Sequence, residues 1–390
     1  MRCAAAIFLP CVLLLSLLFP QTGLGADPKI EPKLNNGRKW RIGYYEGGPW
    51  RDYRESLRVT VQGLMDLGWI ERQPLPAVSE SDREPTRPMW EWLASTTRSR
   101  TIEFVAEAFW TSEWKDELRE KNREDCIRRL QEGHVDLMFA MGTWAGKDLA
   151  NNRHAVPTMV MSTTDPIRAG IILGAEDSGF DHVHARCDPG RYRRQIQLFQ
   201  DIFGFRRIGA ILNVGMAEGR TLAHLDDLEA VGIERGFEVI VCEITDDGSS
   251  MQESISQYRA CVERLAPKVG AFYLADHRGT EPDLLWETIQ PLLRHKVPVW
   301  SARGAVLVEH GALMSVAKES FDFLAPFYAR VVARIFHGEK PRNIPQVVRE
   351  KIRLAVNLET AALIGYTIPP NVLKVSDIVY DRIQKPQPKP

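Results

Sequence analysis

The chain has 390 residues, with 50 basic side chains against 51 acidic ones, so its formal net charge is close to zero. That balance excludes the basic footprint of a nucleic-acid binder and gives no reason to expect an anionic membrane surface as a partner. The length calls for two lobes rather than one simple core.

Residues 1–26 are set aside first. Arg2 is basic, the run from Ala4 to Phe19 is apolar apart from Pro10 and Ser16, and Pro20 to Ala26 is small and helix-breaking. This order is that of a secretory signal peptide, with cleavage expected after Ala26. The apolar run is short of the roughly 20 residues that a spanning helix needs, and no second run follows. Cys11, behind Phe8, Leu9 and Pro10, is wrongly placed for a lipid anchor. A soluble, periplasmic mature protein is expected.

From Arg41 the chain alternates strand and helix. Arg41–Tyr45 reads as a strand and Tyr53–Leu67 as a helix. Residues 71–100, with Pro74, Pro76, Pro85 and Pro88, read as a long surface excursion. Then come strand Thr101–Phe109, helix Glu113–Glu132, strand Leu137–Met141, helix Thr143–Asn151 and strand Pro157–Ser162. Arg168–Asp188 breaks the rhythm and is read as a crossing between lobes. The series restarts with helix Arg191–Phe203, strand Arg207–Asn213, helix Arg220–Gly236 and strand Phe237–Ile244. Helix Met251–Ala266, strand Val269–Ala275, helix Glu281–His295 and strand Val297–Ala302 follow, then Ala312–Ala317, a long helix Phe321–Phe336, strand Arg353–Val356 and helix Leu358–Ile364. Such alternation implies parallel strands with right-handed crossovers.

The fold class expected is therefore α/β, with two doubly wound Rossmann-like lobes, a three-segment hinge and a ligand cleft between the lobes. Lobe 1 is assigned residues 38–168 plus 318–350, lobe 2 residues 169–317 plus 351–376, and the rest, 377–390, a tail. Cys126, Cys187, Cys242 and Cys261 follow the leader. A bridge between Cys242, on a strand, and Cys261, on the next helix, is one reading, and two buried thiols the other.

Open parallel sheets bind ligands beyond the carboxyl ends of their strands. Those ends deliver Tyr45, Glu46 and Gly47; Gly142, Thr143 and Trp144; Thr163, Thr164 and Asp165; Asn213 and Val214; Asp276 and His277; Ser301 and Arg303. Thr143 caps a helix whose free N–H groups favour an anionic group. Asp276 is placed to hold a cation, or alternatively to cap or to pair at the hinge. Asp165, before Pro166, reads mainly as a turn residue. Seven of the ten tryptophans lie between Trp40 and Trp114, and of these Trp50, together with Trp144, is the better candidate for an aromatic wall.

Seven segments in order carry a resemblance: HVDLMFAMGTWAGKDL, VPTMVMSTTDPIRAG, FRRIGAILNVG, VGAFYLADHRGT, VPVWSARGAVLVEHGAL, ARIFHGEKPRNIP and VNLETAALIGYTIPPNVL. They are similar to the ABC transporter substrate-binding family of tryptophan/tyrosine-binding type, a branch of the type I periplasmic binding proteins. The resemblance implies a solute receptor for an ABC importer, with a membrane permease as partner and a small, amino-acid-like or aromatic ligand. It points most clearly at Thr143, Thr164, Asp165 and Asp276. The chain departs from it where residues 71–100 are longer and where 178–188 replaces a Gly/Asn-rich turn.

The ligand-binding set expected is thus Glu46, Trp50, Gly142, Thr143, Trp144, Thr164, Asp165, Asn213, Asp276 and Ser301. No catalytic residue, metal or cofactor is expected, and the chain is read as a monomer. The segment from Gly142 to Asp148 is one residue short of a phosphate loop and lacks its Ser/Thr. Asp181, His182, His184, Cys187 and Asp188 lack metal-ligand spacing. The alternative functional reading is an exported sensor that passes its liganded state to a signalling partner.

Overall fold

The structure is a computed structural model that describes residues 30–79, 81–246, 250–317, 320–349 and 353–386. The expected leader and the last residues of the tail lie outside them. Twelve strands fall into two sheets.

The first sheet holds β1 (Trp40–Glu46), β2 (Ile102–Thr111), β3 (Leu137–Met141), β4 (Thr158–Met161) and β5 (Val183–Ala185) in the order β2-β1-β3-β4-β5, parallel throughout. The second holds β6 (Arg207–Asn213), β7 (Glu238–Ile244), β8 (Ala271–Leu274), β9 (Val299–Ser301), β10 (Met314–Ala317), β11 (Arg353–Asn357) and β12 (Ser376–Tyr380) in the order β12-β11-β10-β9-β8-β6-β7. Only β10 and β11 pair antiparallel. The β7-β6-β8-β9-β10 portion repeats the order of the first sheet, so the chain is two Rossmann-like units, with β11 and β12 added to the second. Strands buried on both faces read as apolar runs, as parallel sheets require; Leu137–Met141 and Ala271–Leu274 are buried at every position.

The chain passes between the sheets three times. It leaves the first sheet after β5, which lies inside the stretch expected to be the crossing. Val183–Ala185 pairs with β4 although it is too short to carry a strand pattern. After β10 the chain returns to build the helix Ala325–Phe336, which packs on the helix Arg51–Asp66 of the first lobe. Gly63 permits that crossing, since a Cβ there would stand 2.2 Å from the carbonyl oxygen of Ala325. The third passage leads to β11.

Three further differences have physical causes. Residues 377–380, expected to belong to the tail, form β12 together with Ser376, and its backbone pairs with β11. The helix expected over Arg220–Gly236 is two, Gly219–Leu222 and Leu225–Arg235, interrupted where His224 takes φ +52°. The excursion contains a helix, Arg87–Thr96, that seals the first core through Trp90 and Leu93. Cys242 and Cys261 are disulfide-bonded, while Cys126 and Cys187 are free and buried. No helix among the described residues is long and apolar enough to cross a membrane.

Candidate ligand-binding site

In a sheet of order 2-1-3-4-5 the crossovers diverge between the first and third strands, and a crevice opens at their carboxyl ends. The two crevices, between β1 and β3 and between β6 and β8, face each other. Between them lies a cavity of about 390 Å3.

The first lobe lines it with Trp50, Tyr53, Trp114 and Trp144, with the hydroxyls of Ser56, Thr143, Ser162, Thr163 and Thr164, and with Arg119. The indoles of Trp114 and Trp144 meet edge to face with centroids 5.5 Å apart, a favourable aromatic arrangement. Arg119 lies over Trp144 at 4.5 Å and pairs with Asp148 at 3.0 Å. Two hydroxyls on this wall, Ser56 Oγ and Thr163 Oγ1, are buried without a hydrogen-bond partner, a state a polar ligand atom would relieve.

The second lobe presents Tyr192, Asn213, Glu218, Asp246, Tyr258, Tyr273, Asp276, His277 and Arg278. Asp246 is the hub of this wall. Its carboxylate accepts from Ser254 Oγ at 2.5 Å and Arg278 at 2.5 Å, and lies 3.3 Å from His277 Nε2. His277 Nδ1 accepts the Gly279 N–H at 2.9 Å, which leaves the proton on Nε2, facing Asp246. The ring stacks on Tyr258 at 4.7 Å, and burial holds its pKa below the usual histidine range. Behind the wall, buried His224 stacks on Tyr192 at 3.5 Å and bonds Tyr273 Oη at 3.1 Å, so one side chain positions two tyrosines of the wall.

Of the residues singled out from sequence, Trp50, Thr143, Trp144, Thr164, Asn213 and Asp276 reach the cavity wall. Asn213 spends its amide on the backbone of Asp246 and Gly215. The other four are not brought there. Glu46 is 1% exposed and accepts from Tyr44 Oη at 2.7 Å and Thr86 Oγ1 at 2.8 Å; burial lifts its pKa to about 7. Gly142 opens the helix Gly142–Leu149 and makes room for Tyr53, whose hydroxyl would lie 1.8 Å from a Cβ. Asp165 accepts the N–H groups of Ile167 and Arg168, each at 3.0 Å, as an Asx turn. Ser301, fully buried, accepts the Arg303 N–H at 3.1 Å and shapes the turn after β9. Arg119, Glu218, Tyr192 and Tyr258 were not foreseen. Arg119, Tyr192 and Tyr258 stand on helices and Glu218 in the turn before Gly219–Leu222, and no strand-end argument reaches them.

The two lobes are joined across the cavity mouth. Glu218 accepts Lys147 Nζ at 2.9 Å and the Trp144 indole N–H at 3.2 Å, and Arg168 pairs with Asp227 at 2.7 Å.

Two Rossmann-like lobes around a closed polar-aromatic cavity define a solute-binding protein. Residues 113–380 match the family model of ABC transporter substrate binding proteins, and the chain belongs to that family. Members of this class bind solutes and are not enzymes, which sets this chain outside catalysis. Three solved structures share the fold. A domain from Streptococcus pneumonia in complex with L-Trp is 18% identical, with TM-score 0.65, over 87% of this chain and 99% of that one. A conserved domain protein from Vibrio cholerae is 17% identical, with TM-score 0.63, over 88% and 100%. The ligand-free, open structure of a Clostridium difficile substrate binding protein with adhesive properties is 16% identical, with TM-score 0.58, over 88% and 100%. No curated protein matches the sequence.

Proposed function

We propose that this chain is the exported receptor of an ABC-type importer and that its interlobe cavity takes an amino-acid-like ligand with an aromatic body. One observation carries the ligand class: indoles and unpartnered hydroxyls line the first-lobe wall, and Asp276 stands opposite them in the cavity beside its strand end. The ligand's planar body lies against Trp114 and Trp144. Its carboxylate meets Thr143 and the start of the helix Gly142–Leu149, where N–H groups and the helix dipole favour an anion. Its ammonium meets Asp276. The Streptococcus relative with L-Trp supports the choice of first probe.

The lobe division belongs to the same reading: residues 38–190 with 320–349 form one lobe, and 191–317 with 353–380 the other. So does export through the leader ending at Ala26 into the periplasm, an oxidising compartment that suits the Cys242–Cys261 bridge. The permease engages the monomeric receptor once the ligand has closed it.

The test is calorimetric titration of refolded, ligand-stripped protein with L-tryptophan, L-tyrosine and L-phenylalanine, beside mass spectrometry of what co-purifies. Saturable binding of one of them is expected. A co-purifying sugar, with no heat from any aromatic amino acid, would overturn the ligand class.

A further inference from the structure

The excursion between the first helix and β2 does something the family resemblance does not supply. Residues 71–86 carry Pro74, Pro76 and Pro85, which stiffen the backbone and remove three N–H donors. The segment is held to its own lobe at several points. The Glu71 N–H reaches the Arg98 carbonyl at 2.9 Å. The Arg54 guanidinium, 2% exposed, donates to the carbonyls of Ser79, Ser81 and Glu84. Thr86 is tied to buried Glu46. So fixed, the segment projects its tip onto the other lobe.

At the tip, Asp82 is 3% exposed. One carboxylate oxygen accepts the Arg51 N–H at 3.2 Å, and the other meets Arg303, which follows β9, at 2.5 Å. The adjoining Arg83 pairs with Glu281 at 2.8 Å and lies 3.6 Å from Asp283. The tip thus offers an acid and then a base, and the second lobe answers with a base and then acids. Such alternation fixes register and rejects a shifted fit. Arg303 also lies over the Trp50 ring at 4.7 Å, and its Nε is 3.5 Å from Asp276. Trp50 and Asp276 are cavity-wall residues of opposite lobes. One guanidinium, fixed by Asp82, therefore sits behind both walls.

We propose that residues 81–86 are a strap that locks the closed lobes over the ligand, with Asp82 acting through Arg303 as the positioning residue for Trp50 and Asp276. The ligand cannot leave until the Asp82–Arg303 pair separates, because that separation and the parting of the walls are one movement. The strap favours the closed form by the difference between its contacts closed and open. It therefore governs release more than capture. This rests on the interlobe cavity being the ligand site.

The experiment compares the parent with Asp82→Asn, which keeps an acceptor for the Arg51 N–H and removes the charge. Spin labels at Glu103→Cys and Glu238→Cys, exposed positions on β2 and β7, report the distance between lobes, and both free cysteines among the described residues are buried. Release of radiolabelled L-tryptophan reports the lock. The variant should show longer and broader inter-label distances, dissociation at least tenfold faster and association changed less than threefold. A structural role confined to the first lobe would move neither the distances nor this split. Arg83→Gln, at the exposed rim, should speed release two- to fivefold, less at high salt, and it serves if Asp82→Asn does not fold. Folded variants with the parent's distances and release rate overturn the strap. If the parent itself does not bind L-tryptophan, the ligand reading fails, and the distance comparison alone decides the strap.

Discussion

The two walls of the cavity are built from different chemistry on the same topology. Both lie at the switch point of a 2-1-3-4-5 sheet. The first-lobe wall is rich in indole and hydroxyl, and its charged lining side chains are Asp52, Asp116, Arg186 and Arg119, the last paired to Asp148. The second-lobe wall is carboxylate, imidazole and guanidinium organised around Asp246. Identical strand order fixes where a ligand sits and leaves open what each wall recognises. Under the proposed function, shape selection falls mainly to the first lobe and recognition of the ligand's cation to the second, and the substitutions below test that division.

The largest effect is expected on the charged side. Asp276→Ala should weaken binding of an amino-acid ligand by well over tenfold, since losing one partner of a desolvated charge pair costs about 2–5 kcal/mol. Calorimetric titration and a thermal melt decide it. Parent-like affinity would mean that the second wall does not carry the cation.

Next comes a titration hidden behind the aromatic side. Burial lifts Glu46 from its usual 4.5 to about 7. Between those values the folded protein holds a proton that the unfolded chain has released. The stabilisation is therefore complete below about pH 4.5 and fades as pH rises to about 7, by about 3 kcal/mol in total. Glu46→Gln should flatten this dependence in urea unfolding. Taking parent minus variant cancels the opposite contribution of buried His184 and His224, which burial holds at about 4 and about 3 and which cost stability as pH falls. Ligand affinity should stay constant across the window, because Glu46 is not part of the wall. If affinity follows the same titration, Glu46 belongs to the wall after all.

Trp114→Leu addresses shape. Its indole covers Gly47 and Gly48 and meets Trp144 edge to face. Losing that surface should cost about 1–2 kcal/mol of affinity for an aromatic ligand and much less for an aliphatic one, measured with L-tryptophan and L-leucine side by side. Thr143→Ala should have the smallest effect, below about 1 kcal/mol, because the backbone N–H groups at the start of the helix remain. A larger loss would make the hydroxyl itself the anion's principal contact.

The parallel architecture was legible because buried strands read as unbroken apolar runs between amphipathic helices, as in Leu137–Met141 and Ala271–Leu274. Val183–Ala185 escaped because three residues hold no period. The break at His224 escaped because neither glycine nor proline marks it. At the site, strand ends led to Thr143 and Asp276 but also to Glu46 and Ser301. The end of a strand fixes a residue's height above the sheet. Which way the side chain turns depends on its hydrogen-bond partners, near in sequence, as Tyr44 is to Glu46 and Arg303 to Ser301, or distant, as Thr86 is to Glu46. Glu218 and Tyr258 become cavity residues only through the placement of one lobe against the other, which no local pattern contains. The proline-rich excursion was visible as a stretch of sequence, but its docking on Arg303 and Glu281 was not.

The helix Ala325–Phe336 belongs in space to the lobe that begins the chain, and in sequence it follows the fifth strand of the other. The face of Arg51–Asp66 that receives it, with Gly63 open for Ala325, stays uncovered while the intervening residues are made. The lobe begun first is thus still unfinished when five strands of the other have been made. A chain on its way out of the ribosome cannot complete that core early, and long-range closure of this kind slows folding. That delay suits the proposed export, in which the polypeptide is threaded through a membrane unfolded. It also means that neither lobe can be obtained as a stable fragment by cutting the chain once.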